Sequence, residues 1–463
     1  MRKLLFLLSF ILMFNLTLFV NVSAAESKWP SGPDIYAKSG IVIDADSGTV
    51  LYDKKSDTKR YPASITKIIT ALLTIENCKM NDTVTFSKNA ITSLQYGDAN
   101  FGCQIGEKMT VKECLYALML SSANEVATAL GEHVGGTEEN FAKMMTERAK
   151  KAGAKNTNFV NCNGLHNKEH YVTAYDMAMI MKDALKYDSF KKIINSTTYT
   201  VKKNNKRKTN DQTLQRHKMV WLTSGYYYDG IIGGKTGYTD EAGNTLVTAA
   251  KRNGTTLISV VLKSNTFNVY EDTKKLLDFG FDNFENKNVS ENDTRFVQNT
   301  NSSNLKSPFT DYEDNIYIDP NSSVVLPKNF KFKDLKSQVV FEKEKNSFAK
   351  VVYKYGDKEV GTARLIYEKN GKVQTNKVSK KTNETPTLIA PTAVNKANKK
   401  QANKETKVTT SKTKNSNTSA IIKIIVMIII VILAVVVCSI LVRNKRKKLK
   451  HIRKSKRQRY YRD

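Results

Sequence analysis

The chain has 463 residues, with 74 Lys and Arg against 44 Asp and Glu, and a formal charge of +30. That excess is uneven: residues 443–463 carry +11, residues 378–419 carry +7, the first 25 residues +2 and Lys423 +1, which leaves only +9 on residues 26–377. The excess on the main body favours an anionic wall or an acidic substrate only weakly, and the basic C-terminal cluster, beside an apolar segment, reads as setting membrane orientation in preference to binding nucleic acid.

Residues 1–25 read as a signal peptide. Arg2 and Lys3 precede the apolar run "LLFLLSFILMF", and the small residues of "VSAAES" offer cleavage after Ala24 or Ala25. Residues 26–283 alternate strand-like and helical text. A hairpin opens it, "GIVIDADSGTVLYDKK", with Asp46, Ser47 and Gly48 at the turn. Apolar residues three and four apart then predict helices in "SITKIITALLTIE", "TVKECLYALMLSSANEVATALGEHV", "EENFAKMMTERAKKAG" and "TAYDMAMIMKDALK". Strands return in "DGIIGGKTGYT" and in "GNTLVTAAKRNGTTLISVVL", where Asn253-Gly254 signals a hairpin, and "VYEDTKKLLDFGF" reads as a last helix. Strands at both ends with helices between imply an α+β domain whose antiparallel sheet closes across the sequence.

Short strands separated by Gly, Asn, Asp and Pro make residues 284–377 a small all-β domain. Residues 378–419 are rich in Lys, Asn, Thr and Ser and cannot bury enough apolar surface to order themselves. They read as a basic tether with a reach of roughly 35 Å. Residues 420–442, "AIIKIIVMIIIVILAVVVCSILV", are long enough for a transmembrane helix. The 12 Lys and Arg among the last 21 residues assign the tail to the cytoplasm. The expected arrangement is a single-pass protein of the cell membrane with its catalytic domain outside.

Cys438 lies in the expected span, while Cys78, Cys103, Cys114 and Cys162 are exported. They could form two disulfides in three connectivities or remain buried thiols. With no Cys-x-x-Cys and no His-rich pattern, no metal is expected, and no cofactor.

"YPASITKIITALL" places Ser64 three residues before Lys67. The spacing alone is cheap, since Ser56–Lys59, Ser303–Lys306, Ser347–Lys350 and Ser411–Lys414 share it and serine is a common helix N-cap. Two later triplets raise its standing: Ser122-Ala123-Asn124 in a helical stretch, and Lys235-Thr236-Gly237, which occurs once, on a strand. S-x-x-K, S-x-N and K-T-G in this order form the signature of penicillin-binding proteins and class A β-lactamases.

The chain resembles the low-molecular-mass penicillin-binding proteins, specifically the exported D-alanyl-D-alanine carboxypeptidases of the serine peptidase S11 family. "LMLSSANEVATAL", "NGLHNKEHYVTAYDMAMIM", "GGKTGYTDEAGNTLV" and "EDTKKLLDFGF" look like successive family blocks, and "VVYKYGDKEVGTARLIY" looks like its C-terminal β-domain. The resemblance spans residues 30–370 and implies a β-lactamase/DD-peptidase-like fold acting on peptidoglycan stem peptides, with β-lactam antibiotics as inhibitors. It implies Ser64 as acylated nucleophile, Lys67 as its base and Ser122 as proton relay. Asn124 would bind a substrate amide, Lys235 and Thr236 the terminal carboxylate, and the amides of Ser64 and Tyr238 an oxyanion. Gly237 would admit the substrate to the strand. A neutral Lys67 requires its pKa to fall from about 10.4 to near 7, at a cost of roughly 4 to 5 kcal/mol, through burial and a second cation, which the resemblance supplies as Lys235. The chain departs from the family at Val269, where an arginine is common, so carboxylate binding would lean on Lys235. His170 reads as structural. A β-lactamase or transpeptidase would use the same motifs, and a non-catalytic wall-binding scaffold would leave their joint survival unexplained.

Overall fold

The computed structural model describes residues 29–296, 315–344 and 347–368. The expected signal segment, tether, transmembrane span and tail lie outside the described residues, among which no helix is long and apolar enough to cross a membrane.

The strands in chain order are β1 (Ser39–Asp44), β2 (Val50–Lys54), β3 (Thr83–Thr85), β4 (Lys108–Thr110), β5 (Thr198–Val201), β6 (Asp211–Leu214), β7 (Ile231–Thr239), β8 (Gly243–Arg252) and β9 (Thr255–Ser264). Five of them form one antiparallel sheet in the order β2-β1-β9-β8-β7. The sheet closes across the chain as expected, with Ser39 opposite Leu262 and Asp44 opposite Leu257. β3 with β4 and β5 with β6 form two small separate two-stranded sheets.

Alternation along the strands sorts side chains between two cores. Ile41, Ile43, Val247, Ala249, Ile258 and Val260 face a core built with the helices Lys67–Asn77, Asn124–Gly135, Glu138–Lys151 and Ala174–Ala184. Val42, Leu246, Ala250, Leu257 and Val261 face the other side, where the helix Asn268–Asn283 contributes Leu276 and Leu277. Because helices cover both faces, the strands are written in near-continuous apolar text. Gly280 sits where that last helix crosses the sheet, and a Cβ there would lie 2.4 Å from Leu257 Cδ1.

The text "TVKECLYALMLSSANEVATALGEHV", read as one helical stretch, is broken in the structure. A helix runs over Val111–Tyr116 from a Thr110/Glu113 capping box, and a π turn follows over Ala117–Ser121. Ser122 then adopts the left-handed conformation (φ 65°, ψ 31°) before a new helix begins at Asn124. Apolar periodicity passes through the break because both sides bury the same face, so the pattern carries no sign of it.

Beyond Asn283, β10 (Phe284–Asn288) pairs with β12 (Ser323–Pro327). β11 (Asn315–Ile318), β13 (Lys336–Glu344), β14 (Ser347–Tyr355) and β15 (Lys358–Glu368) form a sheet in the order β11-β15-β14-β13. Val289, Val324, Val351, Tyr353 and Ala363 make its core. Trp29 stands at the junction, with its ring 4.9 Å from Phe284 and 5.5 Å from Tyr355 and its indole N–H donated to Leu51 O at 2.9 Å.

Candidate active site

Ser64 lies in a 3-10 turn, Ala63–Thr66, that runs directly into the Lys67–Asn77 helix. The approach is sharply bent, with Ala63 at φ 52°, a conformation that side chains other than Gly adopt at a cost of order 1 kcal/mol or more. Neighbours hold it there. Thr245 Oγ1 donates to Pro62 O at 2.8 Å, and Gly164, itself at φ 90°, packs so closely that a Cβ would lie 1.9 Å from Ala63 O. His170 locks the same turn from beneath. Its Nδ1 accepts from Val160 N at 3.1 Å, which leaves Nε2–H to donate to Thr66 Oγ1 at 2.9 Å. Burial and the nearby Lys67 bring the pKa of this histidine down to about 3, so it stays neutral and structural.

Lys67 is fully buried, and its Nζ meets Ser64 Oγ at 2.8 Å, Asn124 Oδ1 at 2.7 Å and Asn163 O at 2.6 Å. Two of these three oxygens can only accept. In a neutral amine they consume both N–H groups, and the remaining lone pair faces the Ser64 hydroxyl, which then donates to it. Burial is the main force lowering the Lys67 pKa to about 7; Glu125 opposes it and Arg216 reinforces it. The Glu125 carboxylate is itself held through Oε1, which accepts from Phe101 N at 2.6 Å.

Six of the expected residues, Ser64, Ser122, Asn124, Thr236, Gly237 and Tyr238, line one cavity of about 700 Å³, while Lys67 and Lys235 are buried in its wall. The break in the long helical text is what brings Ser122 to this cavity: its left-handed backbone ends the π turn and lets Asn124 restart a helix toward Lys67. β7 is an edge strand of the sheet, so its outer backbone groups run beside Ser64. A Cβ on Gly237 would lie 2.8 Å from Ser64 N and 2.5 Å from Thr245 Oγ1, which only glycine tolerates.

Lys235 donates to Thr236 O at 3.0 Å. Burial, then Lys67 and Arg216, hold its pKa well below the ordinary lysine value. Lys235 was expected to be the cation that acts on Lys67; the two buried lysines do repel each other, and Arg216 is a further positive group that lowers both. Arg216 also lines the cavity, as do Lys218 and Val269. Sequence reasoning missed this arginine because "QRHKMV" matches no motif and follows a short hairpin strand with no catalytic spacing. Asn163 was missed for a different reason: it contributes its carbonyl oxygen, and backbone groups leave no residue-type signal.

The sequence profile of the peptidase S11 family, described as D-alanyl-D-alanine carboxypeptidase, matches residues 26–266. This chain belongs to the S11 family. Among S11 relatives, the D-alanyl-D-alanine carboxypeptidase DacF of Bacillus subtilis (strain 168) is 37% identical over 259 residues, covering 54% of this chain and 63% of that protein. The D-alanyl-D-alanine carboxypeptidase of Streptomyces sp. (strain K15) is 34% identical over 54% of this chain and 88% of its own length. A solved structure of a Streptomyces K15 DD-transpeptidase mutant superposes with a TM-score of 0.51 at 31% identity, over 54% of this chain and 99% of that one. Penicillin-binding protein 6B of Escherichia coli, at 21% identity, shares the fold over 73% of this chain and 98% of its own, with a TM-score of 0.55. The mixed α/β architecture of this S11 member is thus that of the DD-peptidases.

Proposed function

We propose that this S11 member removes the terminal D-alanine from peptidoglycan stem peptides through an acyl-enzyme on Ser64, and that β-lactams trap the same intermediate. The observation that carries this reading is the buried Lys67 amine, 2.8 Å from Ser64 Oγ, with a pKa of about 7. Such an amine is neutral for a large fraction of the time near neutral pH and accepts the serine proton as Oγ attacks the carbonyl carbon. The oxyanion develops between the amides of Ser64 and Tyr238, donors of a kind typically worth about 3 to 4 kcal/mol of barrier. Lys67 returns the proton through Ser122 to the departing D-alanine nitrogen, leaving an ester on Ser64, and water then attacks the ester by the reverse proton path.

The substrate carboxylate meets Lys235, Thr236 and Arg216. An arriving anion favours the charged form of Lys235, so substrate binding and proton uptake are coupled there. With Val269 in place of an arginine, Arg216 becomes the second cation for this carboxylate. The K15 proteins are known as a carboxypeptidase and as a transpeptidase, which keeps an amine acceptor as the second reading.

In the cell, the leader of residues 1–25 exports the chain, residues 26–283 are the catalytic domain and residues 284–377 a β-rich domain. The 378–419 tether and the 420–442 span hold them outside the membrane, with residues 443–463 inside. Mass spectrometry of a synthetic stem pentapeptide incubated with the full-length protein tests the activity: free D-alanine and a tetrapeptide are expected, with neither formed by Ser64→Ala. An intact pentapeptide from a protein that still binds fluorescent penicillin would overturn it.

A further inference from the structure

Near the C-terminal ends of the Lys67–Asn77 and Asn124–Gly135 helices, Cys78, Asp82 and His133 bring a thiol, a carboxylate and an imidazole together, with one ligand atom from each lying within 4.8 Å of the others. No sequence spacing links them, because 51 positions separate Asp82 from His133. We propose that these three side chains form a binding site for a borderline divalent transition metal, zinc in the first instance, with water as fourth ligand.

The donor set selects this class. Sulfur and imidazole nitrogen disfavour calcium and magnesium, which take oxygen ligands, and one S, one N and one O with an open position suit tetrahedral zinc. Ligands around such an ion stand roughly 3.5 Å apart, so side-chain torsions alone close the present spacing. The backbone beneath is already fixed. Cys78 N donates to Thr74 O at 3.0 Å, while Val111 N and Lys112 N donate to Asp82 O and Met80 O at 2.9 and 3.0 Å. The Asp82 carboxylate is oriented by Lys79 N, which donates to one oxygen at 2.8 Å and leaves the other for a metal.

Helix geometry supplies an independent argument for a cation. Cys78 caps the C-terminal end of the Lys67–Asn77 helix, and His133 lies in the last turn of the Asn124–Gly135 helix. The negative ends of two macrodipoles thus converge on the site. These two packed helices begin at Lys67 and Asn124, which hydrogen-bond each other. The metal is a clamp on their distal ends, about 16 Å along the first helix from Lys67 at 1.5 Å per residue. Binding displaces the Cys78 thiol proton to solvent, with no change of oxidation state.

Cobalt(II) titration of the chelator-stripped, full-length protein reads the thiolate directly. A thiolate-to-cobalt absorption band is expected to saturate at one equivalent, to be displaced by zinc and to vanish in Cys78→Ser. Cys103, Cys114 and Cys162 are buried away from solvent and Cys438 lies in the apolar 420–442 segment, so loss of the band in Cys78→Ser assigns it to Cys78. His133→Ala and Asp82→Asn should each weaken cobalt binding at least tenfold while fluorescent penicillin still labels Ser64, which certifies the fold. Saturating zinc should raise the melting temperature of the wild type by roughly 3 to 8 °C and leave Cys78→Ser unmoved. Absence of the band, its survival in Cys78→Ser, or wild-type affinity in both His133→Ala and Asp82→Asn would overturn the proposal. Should Cys78→Ser not fold, the other two variants decide it.

Discussion

Ser56–Lys59 and Ser64–Lys67 carry the same spacing eight positions apart, and the fold treats them oppositely. Ser56 donates its hydroxyl to Asp53 Oδ2 at 2.9 Å and not to a lysine amine, while Lys59 extends over the Tyr171 ring at 4.1 Å, exposed to solvent. Lys67, by contrast, is withdrawn from water, with two obligate acceptors occupying its N–H groups and its remaining lone pair aimed at Ser64. The lesson is that a serine–lysine pair becomes a nucleophile and base through what surrounds the amine. Spacing brings the two atoms within reach; desolvation and the acceptor count make one of them basic.

The sharpest attempt to break this contrast is Ser64→Ala, which should abolish covalent labelling by fluorescent penicillin, a loss of at least about a thousandfold. Labelling that survives would remove the basis for distinguishing the two pairs. Lys67→Ala should slow acylation by roughly a hundredfold to ten-thousandfold, and Lys67→Arg should fare no better, because a guanidinium stays charged.

The pH dependence sharpens the same point. Only the neutral amine accepts the proton and its pKa is about 7, so acylation should level off above that value. Below it, the rate should fall by about tenfold per unit as Lys67 becomes charged. Stopped-flow acylation from pH 5 to 9 measures this, and a flat profile through pH 7 would contradict the assignment of Lys67 as base.

Arg216→Ala should raise KM for the stem peptide roughly tenfold with little change in kcat, the effect of losing one charge-assisted hydrogen bond to the carboxylate. Equal loss in kcat would make Arg216 a tuner of Lys67 instead. Smallest of all, Ser56→Ala should leave labelling within about twofold of wild type and cost only about 1 kcal/mol of stability for the lost bond to Asp53, readable by urea unfolding. A Ser56→Ala enzyme that fails to acylate would erase the contrast.

Elements with strong local pattern were legible in the sequence. The 40–55 hairpin, the 229–262 strands and the amphipathic helices all declare themselves through period and turn chemistry, and their order suffices to close the sheet. The motif residues were legible as well, since each lies in a short ordered block of characteristic residue types. What escaped is whatever depends on three dimensions. The break at Ser122 leaves the apolar period intact, Asn163 acts through its backbone, and the bend at Ala63 is imposed by Gly164 and Thr245, about 100 and 180 residues downstream. Arg216 reaches the cavity because the chain after β6 returns past Leu120, where Arg216 N donates to Leu120 O at 3.2 Å. None of these contacts has a local residue-type signature.

The pairing of β1 with β9 sets a timetable. β1 is made early, yet its partner, from Leu257 to Leu262, follows more than 200 residues later. Until then β1 has only β2 beside it, and a lone two-stranded hairpin is marginal in water. A chain that emerges N-terminus first therefore presents Ser64 and Lys67 long before β7, which carries Lys235 and Gly237, can dock between them and β8. Sequence-distant pairing of this kind slows folding, and here it also delays reactivity: the nucleophile is delivered first, and the strand that completes its surroundings arrives near the end.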